Sequence, residues 1–167
     1  KGVGGGFFHA MPAVWKDLVI VKWVASGAQP EGSYIQANLL ATDRITGRLI
    51  AIMDFNWLTG VRTAAVSALG VNLLANPRAR SLAIVGCGYQ AHRHLDAILQ
   101  IRPINHVVAV SRTLEGAERF ASYARSKGVQ NTVATDKVSD IYEADIILTA
   151  TPIDRPPFLD AKRVKPG

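Results

Sequence analysis

Leu82-Ala83-Ile84-Val85-Gly86-Cys87-Gly88-Tyr89-Gln90-Ala91 joins a short apolar run to Gly-x-Gly-x-x-Ala, and a helix-compatible segment follows. A strand, a tight turn and a helix in this order cradle the pyrophosphate of a dinucleotide. Gly86 permits the turn, Gly88 has no Cβ to block close approach of phosphates, and Ala91 lets helix and strand pack. The helix N-terminus adds free N–H groups and a partial positive charge for the anion. The motif alone is a weak signal, and its context decides its weight.

The context is an alternation of β and α patterns, as a doubly wound sheet requires. Tyr89 to Ile101 reads as a helix with Leu95, Ile98 and Leu99 as its apolar stripe, and His106 to Val110 as the second strand. Leu114 to Lys127 is the next helix, with Ala117, Phe120, Ala121 and Ala124 at helical spacing and Gly128 as its stop. Asn131 to Ala134 is a short third strand, Asp136 to Tyr142 a helical turn, and Asp145 to Ala150 a fourth strand that opens a loop at Thr151-Pro152. Right-handed crossovers would place the loops 86–91, 111–113 and 149–152 along one crevice. The chain is therefore expected to carry a Rossmann-type, doubly wound parallel sheet.

The end of the second strand bears on which dinucleotide. An NAD site usually has a carboxylate there for the ribose hydroxyls, but Val107-Val108-Ala109-Val110 runs into Ser111-Arg112-Thr113, with no carboxylate before Glu115. An arginine between two hydroxyls suits a 2′-phosphate, because guanidinium binds phosphate oxygens bidentately. This favours NADPH over NADH, although an arginine in a loop can also be simply solvated.

The 167 residues, 49% hydrophobic and 19% charged, are those of an ordinary soluble globular protein. A net charge of +6 without a long basic run suits a diphosphate cofactor and acidic substrates, and gives no case for nucleic acid. The single cysteine, Cys87, excludes an internal disulfide framework and fits a reducing, cytoplasmic compartment. No apolar run is long enough to span a bilayer, and none argues for a membrane partner. The chain starts at Lys1 without Met and stops at Lys165-Pro166-Gly167, a turn that expects a following strand, so we expect a piece of a longer protein.

Before the glycine motif the grammar changes. Asp17 to Ala25, Ser33 to Ala41 and Arg48 to Met53 read as strands joined in antiparallel fashion. A helix from about Asn56 to Ala75, with Leu58, Val61, Ala65, Leu69 and Leu73 inward, ends at Asn76-Pro77. The expected organisation is a smaller α+β lobe over 1–56, a linking helix and connector over 57–80, and the dinucleotide domain over 81–167. Lys1 to Gly6 is glycine-rich but lacks the Gly-Lys-Ser/Thr of a phosphate loop, and reads as a flexible loop. His92-x-His94 is at i,i+2 on a helix, which turns the rings to different sides, so no metal site is expected. Without a Gly-x-Ser-x-Gly motif there is no support for serine chemistry either.

Met11-Pro12-Ala13, Lys22, Asp54-x-x-x-Leu58-Thr59-x-x-Arg62-Thr63-Ala64-Ala65 and Gly86-x-Gly88-x-Gln90-Ala91 together resemble the ornithine cyclodeaminase/mu-crystallin family, and the likeness runs through Thr149-Ala150-Thr151 to the closing Val164-Lys165-Pro166-Gly167. The resemblance implies a homodimeric, NAD(P)-dependent enzyme with a substrate/dimerisation lobe beside a Rossmann lobe. Its members interconvert an amino acid or cyclic amine and its imine at the carbon bearing the carboxylate. Net redox and redox-neutral cyclodeamination are not separated by these residues. The other reading is a non-catalytic, NADPH-dependent small-ligand binder of mu-crystallin type.

The resemblance also assigns roles. Lys22 and Arg62 match the active-site lysine and the carboxylate-binding arginine, and Met11 adjoins the substrate. Cys87, Gly88, Tyr89 and Gln90, after the turn at Gly86, match pyrophosphate contacts; Ser111, Arg112 and Thr113 surround the ribose phosphate. Thr149 and Thr151 lie along the nicotinamide half, with Arg62, Thr63 and Gln36 as further cofactor contacts. Tyr34 departs from the small hydroxyl residue common in relatives. His9 stands where ornithine cyclodeaminases have a carboxylate for a distal amine, which argues against ornithine as substrate. The family's catalytic aspartate is expected beyond Gly167, and a further substrate arginine before Lys1.

Overall fold

The computed structural model describes residues 7–29, 32–151 and 157–166, with the backbone path alone at 27–29 and 32–34. The glycine-rich start, the Tyr34 side chain, Pro152 and Gly167 thus lie outside the described residues. Two compact units make up the chain, Lys1–Thr59 and Gly60–Gly167.

The first unit is a four-stranded antiparallel sheet in the order β1-β2-β3-β4, with β1 at Phe7–Trp15, β2 at Leu18–Gln29, β3 at Gly32–Asp43 and β4 at Leu49–Asp54. β1 was not foreseen from the sequence, because Pro12 breaks its pattern. Proline has no N–H to give a ladder and survives at an edge, and β1 is an edge strand, paired to β2 alone with Pro12 opposite Val21. Alternation decides burial: Lys22, Val24 and Ser26 of β2 share the covered face with Ala37, Leu39 and Ala41 of β3. The Asp43 carboxylate closes the β3–β4 turn, accepting from the Ile45 and Thr46 amides at 3.0 and 2.7 Å. Those bonds, Thr46 first, hold its carboxyl below the usual range.

Helix α1 spans Asn56–Leu74. Its start is tied to the sheet by the Ala37 amide, which donates to Asn56 Oδ1 at 2.8 Å. The expectation for its inward face is corrected. Leu58, Val61, Ala65, Leu69 and Leu73 are exposed, and the buried line is Gly60, Ala64 and Ala68. α1 is apolar nearly all round, so periodicity does not single out a face, and the smallest residues win because they let its backbone approach a neighbour. At its other end Arg102 donates to the Val71 and Asn72 carbonyls at 3.3 and 3.0 Å, the first of which also accepts the Ala75 amide at 3.1 Å.

The second unit follows the expected alternation: β5 (Ser81–Val85), α2 (Tyr89–Leu99), β6 (His106–Val110), α3 (Leu114–Ser126), β7 (Asn131–Thr135), a 3₁₀ turn at Val138–Ile141 and β8 (Ile146–Thr149). The strands are parallel, in the order β7-β6-β5-β8. Leu82, Ile84, Val107 and Ala109 meet α2 and α3 through Leu95, Ile98 and Phe120, while Ala83, Val85, Val108 and Val110 pack on Ile141, Tyr142 and Ala144. Both faces of the sheet are covered, as a doubly wound sheet demands. At its lower end the Asp145 carboxylate accepts from the Arg80 and Ser81 amides at 2.9 and 3.0 Å, and Ser81 Oγ accepts from the Asp145 amide at 2.9 Å. No helix among the described residues is long and apolar enough to cross a membrane.

Candidate functional site

Chain order reverses at β5. From it the chain winds to β6 and β7 on one side, and β8 returns to pair on the other. The crevice outside the strand ends at such a switch point is where open α/β sheets bind ligands. The glycine turn sits there. Gly86 has φ +93°, and a Cβ on it would lie 2.5 Å from the Ala150 carbonyl oxygen and 3.2 Å from Thr151 Cγ2. The end of β5 and the loop after β8 are therefore in close contact, which brings Thr151 to the turn. Thr149 is exposed at the end of β8.

Successive residues of the turn face different ways. The Cys87 side chain points inward, its Sγ 3.4 Å from the Val110 carbonyl oxygen, and burial pushes the thiol up to about 11. Only the Cys87 backbone is left for a ligand. Gly88 is the N-cap of α2 with φ −85°, and a Cβ added there would meet nothing within 4 Å. Its lack of a side chain thus answers no need of the chain's own packing; it leaves open space at a helix N-terminus. Gln90 Oε1 is buried without a hydrogen-bond partner, an acceptor that a ligand donor could satisfy. Open space at Gly88 and an orphaned acceptor two residues on are what a bound dinucleotide would fill, so these residues fit the group. The Tyr89 ring packs where Gly60 has no side chain, 2.8 Å from the position of a Cβ there, and Arg93 stacks on it at 5.3 Å.

At the end of β6, Ser111 donates its amide to the Thr135 carbonyl at 3.2 Å, and Arg112 is exposed. Thr113 is the N-cap of α3, its Oγ1 accepting from the Gly116 amide at 3.2 Å. Gly116 makes room for both hydroxyls: a Cβ there would stand 2.9 Å from Ser111 Oγ and 3.1 Å from Thr113 Oγ1. Arg62, exposed, and Thr63, half-buried, lie on α1 in the same unit. A shallow hollow of about 270 Å³ between α1 and α2, lined by Val61, Ala64, Arg93, Asp96, Ala97 and Gln100, contains none of the residues selected from the sequence. No three His, Cys, Asp or Glu side chains among the described residues could hold a metal ion.

In the first unit, Lys22 is 8% exposed on β2, directly opposite Met11 of β1, with His9 further along the same face of that strand. Gln36 pairs with Ala25, so it projects from the other face of the sheet and is exposed. Met11 and Lys22 are brought together; Gln36 is not brought to them. Sequence reasoning missed two supports of the turn, Gly60 beneath Tyr89 and the ring of His92. An isolated glycine inside a helix was the available signal for the first.

A parallel sheet with a glycine-rich turn at its switch point, joined to an antiparallel lobe, defines a Rossmann-type α/β protein. The chain belongs to the ornithine cyclodeaminase/mu-crystallin family, which it matches over residues 2–167. It is 34% identical to the ketimine reductase mu-crystallin of Mus musculus over 167 residues, 97% of this chain and 52% of that protein. The structure is similar to an archaeal alanine dehydrogenase dimer with bound NAD, at a TM-score of 0.89 and 27% identity over 98% of this chain and 51% of that one. It is also similar to the Thermococcus litoralis Δ1-pyrroline-2-carboxylate reductase in complex with NADH and L-proline, at a TM-score of 0.80 and 26% identity over 89% and 48% of the two chains. The chain spans about half the length of the curated relatives it matches.

Proposed function

We propose that the protein is an NAD(P)-dependent oxidoreductase or cyclodeaminase that interconverts an amino acid or cyclic amine and its imine. The observation that carries this reading is the glycine turn at the switch point, with Gly88 open and Gln90 unsatisfied, in a chain of this family. The backbone of Cys87, Gly88, Tyr89 and Gln90 would hold the pyrophosphate of the dinucleotide, and Thr149 and Thr151 would serve its nicotinamide half. When bound, the nicotinamide exchanges a hydride with the carbon that bears the substrate carboxylate.

The chain's own residues bind and polarise. The Arg62 guanidinium forks onto the carboxylate, and the Lys22 ammonium adds a second positive charge. At 8% exposure Lys22 is shielded from water, which strengthens its pull on an anion or a polarised carbon–nitrogen bond. Met11, its cross-strand neighbour, contributes apolar contact to the substrate's side chain. Ser111, Arg112 and Thr113 hold a 2′-phosphate, which makes NADPH the preferred dinucleotide; Gly116, without a side chain, leaves room for both hydroxyls. The protein works as a homodimer. Supporting this is the apolar face of the first sheet opposite Lys22, where Phe8, Trp23, Leu40 and Ile52 are 57%, 45%, 39% and 68% exposed.

The test is consumption of NADPH and NADH by the full-length protein with cyclic α-imino acids, with pyruvate plus ammonia, and with ornithine and lysine. NADPH-dependent reduction of an imino acid is expected. Tight dinucleotide binding without turnover of any α-imino or α-amino acid would overturn the catalytic reading in favour of a binding protein.

A further inference from the structure

The two histidines of His92-x-His94 play no part in the function proposed above, yet both bend back onto the turn it depends on. His92 Nδ1 lies 2.9 Å from the Gly88 carbonyl oxygen, and His94 Nδ1 lies 2.7 Å from that of Gln90. A ring nitrogen that faces a carbonyl carries the proton, so each imidazole donates. At Gly88 the ring is the shorter partner, since the His92 amide reaches the same oxygen at 3.4 Å. Gly88 has no side chain to cap α2, so the carbonyl is what fixes it.

The His92 ring is held in its turn. It stands edge-on to Phe120 and Tyr123 of α3, with centroids 5.0 and 4.5 Å away. Tyr123 donates to Asp96 at 2.7 Å, and Lys127 sits 3.2 Å from the same carboxylate oxygen. Contacts thus run from α3 through an imidazole to the glycine at the crevice. The Gly88 carbonyl and the Tyr89 N–H belong to one planar trans peptide and point in opposite directions. Holding the carbonyl along α2 therefore aims that N–H out of the helix N-terminus.

We propose that His92 is a positioning residue for dinucleotide binding, fixing the Gly88–Tyr89 peptide so that its N–H meets the ligand phosphates; this rests on the dinucleotide reading of the turn. The experiment compares wild-type full-length protein with H92F and H92N. Phenylalanine keeps the ring between Phe120 and Tyr123 and removes the donor, whereas asparagine places an amide nitrogen where Nδ1 stands. Dinucleotide Kd by fluorescence titration, KM and kcat, and Tm are measured for each. H92F should raise Kd and KM for the dinucleotide about three- to tenfold, the worth of one hydrogen bond, with kcat and Tm little changed. H92N should return Kd to within about twofold of wild type. H92L carries the same expectation as H92F should the latter not fold. Unchanged Kd in H92F or H92L, or equal losses of Tm and affinity in H92F and H92N, would overturn the proposal and leave His92 as packing alone. A wild-type protein that binds neither NADPH nor NADH would overturn the dinucleotide reading as well.

Discussion

A methyl group added at Gly86 and one added at Gly88 should do opposite things, although the two glycines share one turn. At Gly86 the backbone is at φ +93°, and the new Cβ would sit 2.5 Å from the Ala150 carbonyl oxygen and 2.8 Å from its carbon. A non-glycine residue on that side of the map costs about 1–3 kcal/mol, and forcing backbone atoms apart in a packed region about 1–3 kcal/mol more. Gly86→Ala should therefore lose about 2–6 kcal/mol, a large share of the roughly 5–15 kcal/mol that holds a domain folded. At Gly88 the backbone has an ordinary φ of −85° and a Cβ would touch nothing within 4 Å. Replacing an N-cap glycine by alanine costs about 1 kcal/mol at most. The methyl would, however, occupy space that a pyrophosphate needs, and binding should weaken about tenfold or more, a loss above roughly 1.4 kcal/mol. Chemical denaturation and fluorescence titration of NADPH, run on both variants of the full-length protein, separate the two effects. A Gly88→Ala protein as unstable as Gly86→Ala, or one that binds NADPH like wild type, would refute the assignment of Gly88 to the ligand.

Arg112→Ala should weaken NADPH by about 1.5–3 kcal/mol and leave NADH nearly unchanged, by titration of both dinucleotides; equal losses would sink the 2′-phosphate assignment. Arg62→Ala should raise KM for the carboxylate substrate and lower turnover, while Lys22→Ala should act mainly on kcat, as steady-state kinetics would read. Cys87, with its thiol raised by burial to about 11, should alkylate about a hundredfold more slowly at neutral pH than a free thiol, and speed up as pH rises toward that value. The Asp145 carboxyl is held below its ordinary 3.8 by the Arg80 amide first, against the opposing effect of partial burial and with further help from Ser81. A depressed folded-state value means its contribution is complete above about pH 3.8 and fades as pH falls below. Asp145→Ala should thus cost about 1 kcal/mol at neutral pH, discounted for solvent exposure, with the gap to wild type closing in acid melts.

The second unit was legible because each of its signals is local. Apolar runs of strand length, stops at Gly128 and Asn76-Pro77 and a glycine pair in the turn put elements within a few residues of where they stand: His106–Val110 coincides, and Leu114–Ser126 differs only at its end. The strain at Gly86 could be anticipated for the same reason, since a strand that turns straight into a helix needs φ above zero there. Long-range partners left no such trace. Asp145 clamps the start of β5 from the start of β8, and nothing around either segment announces the other. His92 and His94 read as an i,i+2 pair unsuited to a metal, but bonds to carbonyls four residues back depend on rotamers that composition does not encode.

α1 shows where helical periodicity is a poor guide to the buried face. The expected inward line of Leu58, Val61, Ala65, Leu69 and Leu73 is a proper helical stripe, and so is Gly60, Ala64 and Ala68. Hydrophobicity favours the first line by side-chain size, but size is also what keeps two helix backbones apart. A line of Gly and Ala admits a ring such as Tyr89 where a Cβ on Gly60 would stand 2.8 Å from it. What remains outside is a large apolar surface on α1, with Leu69 at 57%, Leu73 at 70% and Leu74 at 80% exposure. Apolar patches of that size mark surfaces that interact with something else. In this helix, then, the sequence carries two apolar faces, and only the face made of small residues is used by the packing of this chain on itself.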